Sequence, residues 1–318
     1  MGEFDLINKY FRRNPTRSPL GVGDDCALLA PKPGHHLAVS SDMLVEGRHF
    51  LPTVHPKNLG HKSLAVNLSD LAACGAAPLA FTLALSLPSA DEPWIAGFAD
   101  GMWALADRHG CELVGGDTTR GPLNICITIF GEVPAGAALL RSGARPGDDL
   151  WVSGSLGDAR LALESLQGRL SLPPRTLDTC RARLETPTPR VALGQALRGI
   201  ATSAIDLSDG LLGDLQHVLS ASRVGATIDT ARVLPLLAAG PDACSPELAL
   251  TCVLAGGDDY ELAFTAPVDR RGLVEAAGRA TDTAVTRIGR IDSQAGLRLL
   301  GADGAPLDQA FASYDHFS

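Results

Sequence analysis

The sequence predicts an α/β (α+β) protein made of two mixed α/β domains. Three observations carry this expectation. The chain has 318 residues, about two domains' worth. Hydrophobic residues make up 45% of it, ample for buried cores. Short apolar runs alternate with longer periodic stretches, as strands and helices do in mixed domains.

Taken in order, residues 37–41 form an apolar run and read as a strand. Residues 56–73 carry a helical period, with Pro56 in the first turn, where its missing N–H costs nothing. Residues 79–87 read as a strand and Glu92–His109 as a helix. Residues 112–114 make a short strand ending in Gly-Gly-Asp, and 123–133 a further strand. The segment RSGARPGDD at 141–149 is rich in turn residues and marks a domain boundary, giving domains 1–147 and 148–318. Beyond it come a strand at 150–153, helices near 157–168 and 188–199, a strand at 204–206 and a helix at 210–222. Strands at 260–265 and 285–291, with a helix between them, complete the reading.

The charge is unusual in kind more than in amount. Net charge is −9, but 26 of the acids are Asp and only 10 are Glu, while 23 of the bases are Arg and only four are Lys. Helix surfaces favour Glu and Lys, which lose little freedom there, so an Asp excess points to turns, caps and cation sites. With no basic block, nucleic acid and anionic lipid are unsuitable partners. The longest apolar run, near 76–87, is shorter than a membrane helix and contains Pro78. The opening MGEFDLINKY mixes acids among its apolar residues, unlike a secretory signal. Seven cysteines without a C-x-x-C pair read as reduced core residues, Cys26 included, which suits a cytoplasmic protein.

The Asp residues recur beside Gly or Ser: GDD at 23–25, SSD at 40–42, LSD at 68–70, GGD at 115–117, DLSD at 206–209 and GDD at 257–259. Several close an apolar run, the position where α/β proteins hold ligands. Hard cations take carboxylate and hydroxyl oxygens, and a neighbouring Gly lets a phosphate approach the main chain. Asp24, Asp25, Asp42, Asp70, Asp117, Asp206, Asp209 and Asp258 are therefore expected to converge on one cleft, where cations would offset their repulsion. The plain alternative is that they cap helices and fill turns. Asp70 and Asp117 stand 47 residues apart, Asp209 and Asp258 stand 49 apart, and the two pairs are offset by 139 and 141 residues. This spacing is compatible with a duplication, although matches of three residues do not establish one.

A magnesium-rich Asp site suits phosphoryl transfer. Yet there is no P-loop and no protein-kinase signature, and Gly21-Val-Gly23 lacks the third Gly of a dinucleotide fingerprint. Arg120 and Arg141 are the candidate cations for nucleotide phosphates.

In order along the chain stand GVGDDCALL (21–29), NLSDLAACGAAP (67–78), GGDTTRG (115–121), RSGARPGD (141–148), AIDLSDGL (204–211), GGDDYEL (256–262) and YDHF (314–317). This set resembles the thiamine-monophosphate kinase family, within the aminoimidazole-ribotide synthetase-like superfamily, over essentially the whole chain. The resemblance implies an N-terminal domain, 1–147, that binds ATP and Mg2+ and dimerises through a shared barrel. A C-terminal α/β domain, 148–318, would complete the active site. It implies ATP-dependent phosphorylation of thiamine monophosphate to thiamine diphosphate by a homodimer, with several Mg2+ ions and K+ assisting.

Carried over by position, Asp25, Ser40, Ser41, Asp42, Asp70, Asp117, Asp206 and Asp209 resemble the metal ligands. Asp42, Asp70, Asp117 and Asp209 among them would be catalytic. Gly116, Asp117, Arg141 and Ser208 resemble the ATP contacts. His49, Asp258 and a C-terminal aromatic, Tyr314 or Phe317, resemble the substrate contacts. The family often has Glu where Asp258 stands and Thr where Ser41 stands, so Asp258 reaches one methylene less far. Alternatives within the superfamily are a ligase of purine synthesis, a selenophosphate synthetase and a hydrogenase-maturation dehydratase. A non-catalytic cation-binding protein is the alternative outside it.

Overall fold

Residues 2–307 and 311 are described in this computed structural model, so Tyr314 and Phe317 lie outside the described residues. The chain divides into two compact units, Met1–Leu71 with Ala76–Gly136, and Ala72–Gly75 with Ala137–Ser318.

The first unit contains α1 (Glu3–Leu6), β1 (His35–Val45), α2 (Pro56–Cys74, whose last turn belongs to the second unit), β2 (Ala77–Leu87), α3 (Glu92–His109), β3 (Glu112–Arg120) and β4 (Asn124–Pro134). Its sheet has the order β1-β4-β2-β3, antiparallel except for the parallel β2–β3 pair. Alternation along β4 buries Ile125, Ile127 and Ile129. Phe81, Leu83 and Leu85 of β2 are buried, as are Leu64 and Leu68 of α2 and Ile95, Phe98 and Met102 of α3.

Helices α2 and α3 touch through glycines. A Cβ on Gly60 would come 1.9 Å from the Phe98 carbonyl oxygen, and one on Gly101 would come 1.8 Å from that of Lys57. Asp91 caps α3 by accepting from the Trp94 N–H, and Gly110 ends it in the left-handed region. Ahead of β1, the Glu112 carboxylate collects the N–H groups of Thr16, Arg17 and Ser18 and the Thr16 hydroxyl. Burial opposes that charge, but the N–H donors of Thr16 and Ser18 lead in holding the carboxyl down at about 2.

The second unit runs through β5 (Asp149–Ser153), α4 (Asp158–Leu166), α5 (Pro174–Glu185), α6 (Val191–Ala196), β6 (Ser203–Asp206), α7 (Leu211–Ser222), β7 (Gly225–Asp229), α8 (Thr230–Val233), α9 (Pro246–Ala255), β8 (Leu262–Ala266), α10 (Arg271–Ala280), β9 (Val285–Asp292) and β10 (Gly296–Leu300). Its six-stranded sheet has the order β10-β7-β9-β5-β8-β6. One core gathers Leu150 and Val152 of β5, Leu161 of α4, Leu215 and Leu219 of α7, Val253 and Leu254 of α9, and Ile288 of β9.

The mixed α/β architecture agrees with the sequence expectation, and several elements go beyond it, the four-residue helices α1 and α8 among them. Helix α9 is apolar nearly all round, so no amphipathic period marks it. Helix α5 opens with two prolines, which read locally as a turn. Strands β7 and β10 are five residues each and pair in parallel with one another, a partnership local pattern does not announce. The strand expected at 112–114 extends to Arg120, so Gly115-Gly-Asp117 lies inside it. Gly116, at φ +141, makes this possible, because a Cβ there would come 1.8 Å from the Leu83 carbonyl oxygen of β2. Cys26 is exposed, not in the core as expected. Its Gly-Asp-Asp-Cys setting is a turn rather than a periodic apolar element, so nothing directs it inward.

Candidate active site

In the first unit, the SSD triplet at 40–42 lies mid-strand on β1, where consecutive side chains point to opposite faces. Ser40 faces helix α2 and its hydroxyl donates to the Asp70 carboxylate at 2.5 Å. The Asp42 N–H donates to the Asn67 side-chain oxygen at 3.2 Å, one turn earlier on the same helix. Ser41 faces the other way and meets the Thr128 hydroxyl of β4 at 2.9 Å. The structure therefore brings Ser40, Asp42, Asn67 and Asp70 to one β1–α2 seam and sets the Ser41 side chain apart from it. Asn67 was not expected in this cluster. It lies one turn before Asp70 on α2, which is the signal that would have found it.

Strand register draws a row from Asp42 through Ile127 and Leu83 to Gly116. Three strand spacings of about 4.8 Å separate its ends. At the β3 end a cavity of about 690 Å³ opens. Asp24 and Asp25 line it on one side, Gly115, Gly116 and Asp117 on another, and Phe4 and Phe11 give it an apolar wall. His49 follows β1, half-buried, and its Nδ1 accepts the Val45 N–H at 3.0 Å, which leaves Nε2 to carry the proton.

In the second unit, Asp206 ends β6 and is buried. The following turn, Leu207 to Gly210, is bonded to the GGDDYEL segment. The Asp258 N–H donates to the Ser208 carbonyl, the Tyr260 N–H to the Leu207 carbonyl, and the Leu207 N–H to the Glu261 carbonyl, each at 2.8 Å. Asp206, Ser208, Asp209 and Asp258 thus share one pair of interlocked loops. Asp258 and Tyr260 sit at φ 67 and 50, left-handed positions that cost non-glycine residues free energy. The Tyr260 hydroxyl donates to Asp258 at 3.2 Å.

Beneath these loops, fully buried Glu261 accepts from the Ser153 hydroxyl, Arg183 and Arg190 at 2.6–2.7 Å. Asp259, also buried, accepts the Gly157 N–H. Burial raises its carboxyl well above the ordinary range despite that bond. Asp214, in the first turn of α7, accepts the N–H groups of both Ser208 and Asp209 at 3.0 Å. Burial pushes its carboxyl up to about 7 against the pull of the backbone N–H groups. Sequence reading passed over Asp214 and Glu261. The signal for the first is an acidic residue in the first helical turn, four positions after Gly210, which has no side chain with which to cap. Glu261 offers only its place in a motif.

Arg141 is exposed, and its backbone is pinned through the Ser222 hydroxyl, which donates to the Arg141 carbonyl and accepts from the Gly143 and Ala144 N–H groups. Among the described residues, no group of three or more His, Cys, Asp and Glu side chains is gathered as a metal cage. The donors along the β1–α2 seam and the β6–α7 turn are carboxylate and hydroxyl oxygens without thiols, the set a hard cation prefers. No helix among the described residues is long and apolar enough to cross a membrane.

Residues 23–133 match the family described as AIR synthase related protein, N-terminal domain. Thiamine-monophosphate kinase of Escherichia coli strain K12 is 46% identical over 321 residues, covering 100% of this chain and 98% of that protein. The crystal structure of thiamine-monophosphate kinase from Stenotrophomonas maltophilia K279a superposes with a TM-score of 0.85 at 45% identity, covering 96% of each chain. A structure of AaThiL complexed with AMPPCP and TMP gives a TM-score of 0.78 at 28% identity, covering 91% of this chain and 89% of that one. With its two mixed α/β units, its ordered Asp motifs and this likeness along its full length, the chain belongs to the thiamine-monophosphate kinase family.

Proposed function

We propose that this protein transfers the γ-phosphoryl group of ATP to the phosphate of thiamine monophosphate, forming thiamine diphosphate. The observation that carries this reading is 46% identity to a thiamine-monophosphate kinase along the whole chain. The AaThiL complex with AMPPCP and TMP supports the substrate pair.

The acceptor is already an anionic phosphate oxygen, so the reaction needs no strong general base. Transfer is direct and in line, without a phosphoenzyme, and positioning supplies most of the rate. Asp25, Ser40, Asp42, Asp70, Asp117, Asp206 and Asp209 are the proposed Mg2+ ligands, and Ser41 leaves the expected set because its hydroxyl is turned to Thr128 on the opposite face of the sheet. When bound, the ions offset repulsion between the two polyanions and stabilise the charge that develops in transfer. Asp117 and Gly116 contact the nucleotide at the edge of the 690 Å³ cavity that they line with Gly115. Arg141 pairs with nucleotide phosphate. Ser208 contributes its hydroxyl, since its N–H is already given to Asp214. His49 and Asp258, with Tyr314 or Phe317, face thiamine phosphate. K+ is an assisting ion, and residues 1–147 carry ATP binding and dimerisation while 148–318 complete the site.

The protein works as a cytoplasmic homodimer. Leu37, Val39 and Met43 alternate along β1 with 43%, 57% and 54% of their surface exposed, an apolar row suited to burial against a second copy. The test of the activity is incubation with ATP, Mg2+ and thiamine monophosphate, with product separated chromatographically. Thiamine diphosphate is expected. Consumption of ATP only when another acceptor is added would overturn the reading.

A further inference from the structure

We propose that Asp214 is a positioning residue for the Asp206-Leu-Ser-Asp209 turn, fixing the side chains that take the cation there. The inference rests on the metal reading of that turn. Helix α7 begins after Gly210, which sits at φ 109 and has no side chain with which to cap. The N–H groups of the turn before the helix lie outside its hydrogen-bond ladder and also need an acceptor. A single carboxylate oxygen of Asp214, four residues into the chain beyond Gly210, reaches back and takes both the Ser208 and Asp209 N–H groups at 3.0 Å. Asp214 is itself buried, with 4% of its surface exposed.

Two consequences follow from this geometry. The turn is held from two sides, by Asp214 on its N–H groups and by the Asp258 N–H on the Ser208 carbonyl at 2.8 Å. Rotation of the 208–209 peptide, which would swing the Asp209 carboxylate, breaks one or the other. The Ser208 and Asp209 N–H groups are also occupied, so these two residues offer a ligand their side-chain oxygens rather than their main-chain donors. Asp214 touches neither substrate nor metal in this arrangement. It acts through the turn.

The experiment uses the full chain with Asp214→Asn and Asp214→Ala, with Mn2+ as the probe ion in place of Mg2+. Mn2+ affinity is measured by water-proton relaxation, the Mg2+ concentration for half-maximal activity by assay, and folding by thermal unfolding. Asp214→Asn keeps an acceptor oxygen of the same reach and is expected to weaken Mn2+ binding by about threefold. Asp214→Ala removes the acceptor and is expected to weaken it about tenfold or more, one charge-assisted hydrogen bond's worth. The Mg2+ requirement should rise in parallel while KM for ATP changes less. A folded Ala variant whose Mn2+ affinity stays within twofold of the parent overturns the proposal. If the Ala variant does not fold, parent-like affinity in the Asn variant overturns it instead. A parent that binds no Mn2+ overturns the metal reading and this inference together, whereas a parent that binds with an unchanged variant overturns this inference alone.

Discussion

The hydroxyl of Ser40 donates to the Asp70 carboxylate at 2.5 Å, joining the middle of strand β1 to helix α2. Two motifs 30 residues apart in sequence thus meet as one oxygen-lined seam. Asp70→Ala is expected to lower thiamine diphosphate formation by roughly a hundredfold or more, the scale of losing a charge-stabilising group. Ser40→Ala removes a hydroxyl and should cost about fivefold. Circular dichroism must show both variants folded. An Asp70→Ala protein that is folded and fully active would remove Asp70 from the site.

Glu261 carries a buried charge held by Arg183 and Arg190. Glu261→Ala strands two largely buried guanidinium groups and should destabilise the protein by about 3–5 kcal/mol. Urea unfolding measures this. A loss below about 1 kcal/mol would mean that the loops bearing Asp209 and Asp258 do not depend on this cluster.

The crossing of α2 and α3 has no room for a methyl group at Gly101. Gly101→Ala is expected to cost about 3 kcal/mol through forced separation of the helices. The same substitution at Gly110 meets nothing within 4 Å. Its cost comes instead from the left-handed backbone, about 1 kcal/mol. Comparable unfolding midpoints for the two would contradict the close crossing.

Acid should loosen the segment before β1. Glu112 has its folded value at about 2, below an ordinary value of 4.5. A depressed carboxylate contributes stability that is complete above the unfolded value and is lost as pH falls through the folded one. The contribution of Glu112 should therefore fade between about pH 4.5 and pH 2. Glu112→Gln should destabilise the protein at pH 7 by about 1–3 kcal/mol and flatten its acid limb within that window. Equal acid sensitivity in parent and variant, followed by fluorescence, would argue against it.

The exposed row on β1 predicts that Val39→Asp weakens self-association. Analytical ultracentrifugation should show dimer for the parent and monomer for the variant. A parent that sediments as a monomer would remove the dimer from the proposal.

Much of the architecture was legible because its signals are local. The strands at β1, β2, β4 and β8 and the helices α2, α3 and α7 announce themselves through apolar period and, for α2, Pro56 at a first turn. Helix α9 and strands β7 and β10 were not legible, since an all-apolar helix has no period and the two strands pair in parallel with each other across about 70 residues of chain, which no local pattern announces. The Asp motifs marked which loops matter, but not their companions. Asn67, Asp214 and Glu261 acquire their roles from neighbours brought close by packing.

By itself, the sequence determined the fold class, the order of the Asp motifs and the family they resemble, because residue type and short-range spacing carry that information. Only the tertiary structure decided that Ser40 and Ser41 serve opposite faces of one sheet, and that Glu261 meets arginines 71 and 78 residues away. It alone gave the Ser208 and Asp209 N–H groups to Asp214. These relationships depend on which buried donor finds which acceptor once the chain is packed. That choice is fixed by the desolvation cost of leaving either one unpaired, and no local pattern contains it.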